Sequence, residues 1–150
     1  MKLLTVMLAV LLLPAAVVAQ PEPWMRSDSP GELSIAAAAE SDCPVTPEDV
    51  QVHMESVLER AGIEAVPFSG KPAALFLAGV VECDRHGDGV WVFRVAVEFD
   101  SPDRELSDWI GGKSYVQLGI GGRGAIIKAL MADMQEAIDD YKAGNRDYSF

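Results

Sequence analysis

Residues 90–99 have the sequence VWVFRVAVEF, in which large apolar side chains occupy every second position. This period of two predicts a β-strand with one apolar face. Residues 73–83 (AALFLAGVVEC) have the same period, and their charge-free face consists of Leu75, Leu77, Gly79, Val81 and Cys83. The intervening sequence DRHGDG at 84–89 is rich in residues typical of hairpin turns. The two segments are therefore predicted to form an antiparallel β-hairpin.

The register of this hairpin follows from its two faces. A slip of one residue turns every apolar side chain of a strand to the other face, so the apolar faces of the two strands must coincide. One register that meets this condition places Glu82 directly opposite Arg94, and an opposite-charge pair there contributes about 0.2–1 kcal/mol. We predict this pairing. The same register turns Cys83 toward the side where helices pack, within reach of Cys43.

The N-terminal segment has the pattern of a secretory signal peptide. Lys2 precedes an apolar run at 3–13, and small residues follow at 15–19. The run is too short for the roughly 20 residues that a transmembrane helix needs. We predict a signal peptide at 1–19, cleaved after Ala19, and a location in the periplasm or outside the cell. No later stretch is apolar enough to predict a membrane span, and no cysteine lies directly at the cleavage position, so we expect no lipid anchor there.

The two cysteines, Cys43 and Cys83, are predicted to form a structural disulfide. A lone pair of cysteines usually bonds in an oxidising compartment. Closing a loop of this size corresponds to roughly 4 kcal/mol of chain entropy, which native strain commonly reduces. Two thiols without histidine ligands make a poor metal site, and their separation excludes a C-x-x-C redox motif. We therefore predict no metal site at these residues.

The charge balance restricts the classes of partner. The chain has 23 acidic and 12 basic residues and a formal net charge of −11. Such a charge repels nucleic acid and anionic lipid and favours solubility. We therefore expect no nucleic-acid partner, and the scattered positions of the acidic residues are typical of a solvated surface.

Composition divides the chain after the signal peptide into three parts. Residues 20–42 contain several Pro, Ser and Asp residues and are predicted to be a flexible tether. Within it, the alanine-rich stretch 33–40 is a candidate short helix of marginal stability. Residues 43–143 are predicted to form a single domain, and 144–150 a polar, frayed tail.

Two helices and a third strand complete the predicted domain. Thr46 and Pro47 begin the first helix as its cap and first residue, and Gly62 ends it. Its apolar stripe comprises Val50, Met54, Val57, Leu58 and Ala61. A short strand is a candidate at 63–66. The third strand covers 115–120, with Val116, Leu118 and Ile120 on one face. The last helix covers 123–142, and its stripe comprises Ile126, Ile127, Leu130, Met131, Met134, Ile138 and Tyr141.

The predicted order is helix, strand, strand, strand, helix. Short connections between the strands favour an antiparallel meander sheet with one face in water. Both helices then cover the other face. We therefore predict an α+β fold, a two-layer sandwich of the form α-β-β-β-α.

Several segments resemble a group of small secreted or periplasmic bacterial proteins without assigned activity. These have a helix ending in Ala-Gly-Ile, an aromatic-rich hairpin and a C-terminal helix. The matching pieces here are residues 61–63, 75–77, 90–99 and 138–141. This chain departs from the pattern in its shorter, acidic ending and in having Ile138 where the group has an aromatic residue. The resemblance implies an exported protein and carries over no catalytic residue. The layout is also similar to domains of envelope-assembly accessory proteins.

A glycine-rich segment at 119–124, GIGGRG, is the strongest candidate for a small-molecule site. It matches G-x-G-x-x-G, but a dinucleotide site also needs a parallel strand after the helix, and we expect none after the last predicted helix. Backbone amides at the helix start can hold an anion. The candidate anion-binding residues are Gly121, Gly122, Arg123 and Gly124. The simpler interpretation is a strand-to-helix turn whose glycines allow close packing.

Other candidate sites are weaker. The sequence at 84–89 resembles the start of a calcium loop, but Val95 occupies the position that must supply a bidentate glutamate. His53 is not part of an H-E-x-x-H motif. Trp109, in a polar segment, is a candidate exposed contact, and the alternative is that it covers the edge of the sheet. We predict no catalytic residues and no cofactor.

The sequence therefore favours a non-enzymatic exported module that binds a protein or a cell-envelope component. The alternative is a small-ligand or anion-binding protein, or an enzyme, that uses the turn at 119–124. The oligomeric state is left open.

Overall fold

The computed structural model describes residues 25–68, 75–100 and 113–150. The described elements are β1 (Glu32–Ala39), α1 (Pro47–Ala61), β2 (Glu64–Pro67), β3 (Phe76–Gly87), β4 (Val90–Asp100), β5 (Ser114–Gly121) and α2 (Arg123–Gly144). The predicted signal peptide at 1–19 and Trp109 lie outside these ranges. Neither described helix combines the length and apolar character that a membrane crossing requires.

The fold is α+β, with two helices on a mixed five-stranded sheet of order β2-β1-β3-β4-β5. β1 runs parallel to both β2 and β3, whereas the β3–β4 and β4–β5 pairs are antiparallel. The three predicted strands are antiparallel neighbours as β3, β4 and β5, but the sheet is mixed and not the meander predicted, since β1 and β2 add two parallel pairs. The reason is that α1 connects β1 to β2, and a helical crossover brings the chain back to the end of the sheet where it started.

β1 corrects a second expectation, because a helix was predicted over 33–40 and the segment is a strand. Leu33 and Ile35 are buried, and the alanines that follow alternate between the two faces of the sheet. Alanine favours helices by at most a few tenths of a kcal/mol per residue over most other residues. Backbone pairing on both sides of β1 and the burial of two large side chains outweigh that preference. The strand lies inside the segment 20–42, for which the sequence predicted a flexible tether.

The β3–β4 hairpin has the predicted register. Glu82 lies directly opposite Arg94, and Arg94 Nη1 is 2.9 Å from Glu82 Oε2. Gly89 turns the chain with a φ of 72°, a left-handed conformation that glycine adopts without strain. The helix-facing side chains of the hairpin are buried and include Leu77, Val81, Cys83, Phe93, Val95, Val97 and Phe99.

α1 and α2 pack side by side on this buried face of the sheet. Thr46 and Asp49 form a capping box at the start of α1, and Gly62 ends the helix with a φ of 77°. Most of the predicted stripe residues are buried: Val50, Met54, Val57 and Leu58 on α1, and Ile126, Leu130, Met134, Ile138 and Tyr141 on α2. The other three, Ala61, Ile127 and Met131, are partly buried against the core.

The predicted disulfide is present between Cys43 and Cys83, whose Cα atoms are 5.2 Å apart. Two further contacts hold the same connection between β1 and α1. Glu40 Oε2 accepts a hydrogen bond from the Cys83 amide at 2.9 Å, and the Trp91 indole donates to the Asp42 carbonyl at 2.8 Å. The start of α1 is thereby fixed to the hairpin end of the sheet.

The two described ends of the chain pack against each other at the C-terminus of α2. Met25 is 1% exposed, and the Asn145 side-chain amide donates a hydrogen bond to the main-chain oxygen of Met25. The Phe150 ring stands edge-on to Tyr141 at 6.3 Å, and Lys142 Nζ lies 4.7 Å from its centre. The tail at 144–150, which we expected to fray, therefore contacts the core through the Phe150 ring. The residues around Phe150 are mostly polar, so the sequence pattern did not indicate this contact.

Candidate binding surface

The sheet has an open face, which is the face turned away from α1 and α2. Four apolar side chains on β4 and β5 are exposed there, and we refer to them as the apolar strip. Their exposed fractions are 40% for Val92, 43% for Val116, 77% for Leu118 and 67% for Ile120. Exposed apolar residues are ordinary when scattered, so their arrangement decides whether they form a surface.

Strand pairing brings the strip together. Val92 lies directly opposite Ile120 across the β4–β5 pair, and Val116 lies opposite the buried Ala96. Leu118 stands between Val116 and Ile120 on the same face of β5, because side chains two residues apart share a face. The four side chains are therefore neighbours on one continuous surface.

The opposite face of β5 is anchored to α2 by polar contacts. Tyr115 donates a hydrogen bond to Asp140 Oδ2 at 2.6 Å, and Gln117 Nε2 donates to Asp133 Oδ1. Because these partners lie on the helix side, Val116, Leu118 and Ile120 must point the other way.

Glycine packing supports the same orientation of β5. A Cβ atom at Gly119 would collide with the ring of Phe93, which is 5% exposed and lies on the helix side of β4. The absence of a side chain at this position lets the aromatic ring cover the strand, so Gly119 belongs on the buried face.

Small side chains continue the open face beyond the strip. Ala36 on β1 lies opposite Ala78 on β3, and Ala38 lies opposite Val80. These residues make an apolar floor of mostly small side chains, over which another backbone or side chain can approach closely.

A network of ion pairs lies on the open face. Arg94 contacts Glu82 at 2.9 Å and Glu98 at 3.6 Å, so one guanidinium serves two carboxylates. Beside this network lies a shallow cavity of about 320 Å³. The side chains that give it character are the acidic Glu40, Glu82 and Asp84, the basic Arg94, and the apolar Val92 and Leu118.

The polar contacts behind β5 shift the ionisation of their members. Partial burial acts to raise the pKa of Asp140, but hydrogen bonds from Lys113 and Tyr115 outweigh it and hold that pKa below its ordinary value. Burial, followed by the bond to Asp140, raises the pKa of Tyr115, so the phenol keeps its proton. These groups hold β5 against α2, and the apolar strip lies on the other face of the strand.

Burial also raises the pKa of the Asp133 carboxyl, against the opposing effect of its bond from Gln117. Asp133 is 3% exposed, and within the described ranges no group donates a hydrogen bond to its Oδ2. The fold therefore holds this carboxylate at a cost in free energy.

The glycine-rich turn at 119–124 leads from β5 into α2. Gly122 is the N-cap, and no side chain in the described part of the chain caps it. Arg123 Nη2 is 2.8 Å from Asp49 Oδ1 at the start of α1, and this contact lowers the pKa of Asp49. A Cβ at Gly121 would lie 2.6 Å from the Ala125 Cβ, so the glycine has a packing role. Anion binding by Gly121, Gly122, Arg123 and Gly124 stays a prediction, which equilibrium dialysis with phosphate tests.

Sequence patterns predicted that Val116, Leu118 and Ile120 share a face, but did not identify that face as an exposed surface. The available signal was the polar face of β4, where Val92 and Ala96 flank Arg94 on the side expected to meet water. In the described ranges, no group of three or more His, Cys, Asp or Glu side chains is placed to hold a metal ion.

No protein-family model matches the chain. No curated protein sequence matches it either. Among solved structures, a PelC variant dodecamer from Paraburkholderia phytofirmans is 16% identical, with 73% of this chain and 84% of that chain covered and a TM-score of 0.46. A second PelC dodecamer from the same organism is 15% identical, covers 73% and 85%, and has a TM-score of 0.44. A minor lipoprotein from Acinetobacter baumannii is 10% identical, covers 78% and 92%, and has a TM-score of 0.36.

Proposed function

We propose that this protein is an exported, non-enzymatic module that binds another protein or a cell-envelope component through the open face of its sheet. The apolar strip is the observation that carries the proposal. The solvent face of an antiparallel pair is normally polar, whereas here β4 and β5 expose four neighbouring apolar side chains. A partner that covers them removes this surface from water.

The free energy gained by burying apolar side chains indicates how much of the open face a partner must cover. Burying a leucine or isoleucine side chain fully is worth about 1.5–3 kcal/mol. Association itself costs roughly 4–15 kcal/mol in lost freedom of motion. Leu118 and Ile120 alone therefore do not hold a partner, and the alanine floor and the charged network around Arg94 have to contribute.

Export is supported by two independent features. The Cys43–Cys83 disulfide is of the kind that persists in oxidising compartments. The sequence at 1–19 has the charge, apolar run and small residues of a signal peptide.

Site-specific photocrosslinking tests the proposal. A photoreactive residue at position 118 should give a crosslinked adduct of defined size in the cells that produce the protein. Val52 provides the matched control, because it is an apolar residue 60% exposed on α1, on the other side of the molecule. Equal adducts from positions 52 and 118, or none from 118 and 120, would contradict binding through the open face.

A further inference from the structure

We infer that the occupant of the open face is a protein segment that presents apolar side chains flanked by lysine or arginine. This inference rests on the proposed function and names the chemistry of the partner. It distinguishes a basic peptide segment from a second copy of this chain and from an anionic membrane or polymer.

The charges around the apolar strip carry the inference. The cavity beside Leu118 is lined by three carboxylate residues and one guanidinium. Arg94 pairs with Glu82 and Glu98, and even with this guanidinium included the carboxylates that line the cavity outnumber the basic groups. The Glu82 side chain is still 45% exposed, and Asp84 beside it is exposed. A partner that approaches the strip from this end meets an excess of negative charge.

The cavity fits the two parts of a long basic side chain. Lysine and arginine have an apolar stem and a charged end, and they lay the stem along apolar surface. Val92 and Leu118 offer that surface, and Glu82 and Asp84 line the same cavity. A charged end placed there gains hydrogen bonds to ionised acceptors, which are stronger than bonds between neutral groups.

The same charges argue against the other occupants. A second copy brings a net charge of −11 and the same excess of carboxylates to the contact. A standard interface also needs 20–30 residues on each side, far more than the strip supplies. Anionic lipid headgroups attract basic segments, and this face has the opposite character.

Two synthetic helical peptides test the inference on the purified, disulfide-bonded protein. Both have the same leucine face, and the flanking positions are lysine in one and glutamate in the other. We expect fluorescence anisotropy to show the lysine peptide binding at least tenfold more tightly than the glutamate peptide. Its Kd should rise at least fivefold between 50 and 500 mM NaCl, because salt screens exposed charges.

Matched variants locate the binding. The pair Glu82→Gln and Asp84→Asn should weaken the lysine peptide at least fivefold. The control pair Glu59→Gln and Asp139→Asn removes the same charge from exposed positions on α1 and α2 and should leave Kd within twofold. Equal losses from both pairs would overturn the inference, since binding would then reflect net charge alone.

The remaining outcomes separate this inference from the proposed function. If both peptides bind equally and Leu118→Ser weakens both, the open face binds apolar segments and the requirement for basic flanks is wrong. If neither peptide binds, or if vesicles of anionic phosphatidylglycerol bind and Leu118→Ser abolishes that binding, the inference is overturned. Photocrosslinking from position 118 judges the proposed function independently of these results.

Discussion

The Asn145 side-chain amide donates a hydrogen bond to the main-chain oxygen of Met25 at 2.8 Å, across 120 positions of sequence. The same carboxamide donates to the Tyr141 carbonyl and accepts from the Ser27 amide, each at 2.9 Å. One buried side chain therefore joins the N-terminal segment to the end of α2.

Replacing Asn145 with alanine should lower the free energy of unfolding by about 2 kcal/mol, because buried main-chain groups lose their partners. Urea denaturation measures the loss, and limited proteolysis should show earlier cleavage within residues 25–31. Gln135→Ala on the exposed side of α2 is the control, with an expected change within about 0.5 kcal/mol. Equal stability of the Asn145 variant and the parent would contradict the bridging role.

The glycine-rich segment contains two positions with opposite expectations. Gly119→Ala should destabilise the protein by about 1–3 kcal/mol, because the new methyl group collides with the buried Phe93 ring. Gly124→Ala should be neutral or stabilising by up to about 1 kcal/mol, because nothing lies within 4 Å of its added Cβ and alanine favours helices. Urea denaturation of both variants checks the pair. If Gly119→Ala were tolerated, Phe93 would not be packed over β5.

The buried carboxyl of Asp133 should make the stability of the protein depend on pH. Its folded-state pKa is raised by burial, so the fold favours the neutral acid and the ionised form is destabilising. This cost is absent below the unfolded pKa of about 3.9, grows as the pH rises to the folded pKa, and is constant above it. Asp133→Asn should therefore be more stable than the parent at pH 7, by on the order of 1 kcal/mol, and equal to it near pH 3.

Thermal denaturation at several pH values measures the Asp133 effect. Asp139→Asn is the control, because it changes an exposed carboxylate on the same helix and should not reproduce the pH-dependent gain. A gain for Asp133→Asn that is the same at pH 3 and pH 7 would show that packing, and not ionisation, causes it.

Reducing the disulfide should lower the free energy of unfolding by about 2–4 kcal/mol, since Cys43 and Cys83 close a loop across 40 positions. Urea denaturation with and without dithiothreitol measures the effect. The Cys43→Ser, Cys83→Ser double variant should match the reduced parent and be insensitive to dithiothreitol. Stability that is unchanged on reduction would show that Glu40 and Trp91 alone fix the β1–α1 connection.

The hairpin and both helices were predictable because their information is local. Alternating side chains in β3 and β4 determine their faces, and the Glu82–Arg94 pair selects the register. Thr46 and Gly62 mark the ends of α1 through backbone chemistry that does not depend on the rest of the fold. The disulfide was predictable for a different reason: the chain has only two cysteines, so only one pairing exists.

β1 and the binding surface were not predictable because both depend on distant partners. The alanines at 36–39 have no preference for strand, and they form one only by pairing with residues 78–81. The alternating apolar residues of β5 suggest that their face is buried. Instead, Tyr115 and Gln117 hydrogen-bond to α2 and occupy the helix-facing side of the strand. The sequence pattern alone does not show that a tyrosine with a hydrogen-bond acceptor on a helix takes the buried face in preference to a leucine.

β1 lies between β2 and β3 in the sheet. It is synthesised before both of its sheet neighbours, because β2 and β3 begin at Glu64 and Phe76. Contacts between such distant parts of a chain slow folding and leave apolar segments unpaired in the meantime. β1 therefore lacks its longer pairing partner until residues 76–81 have been synthesised.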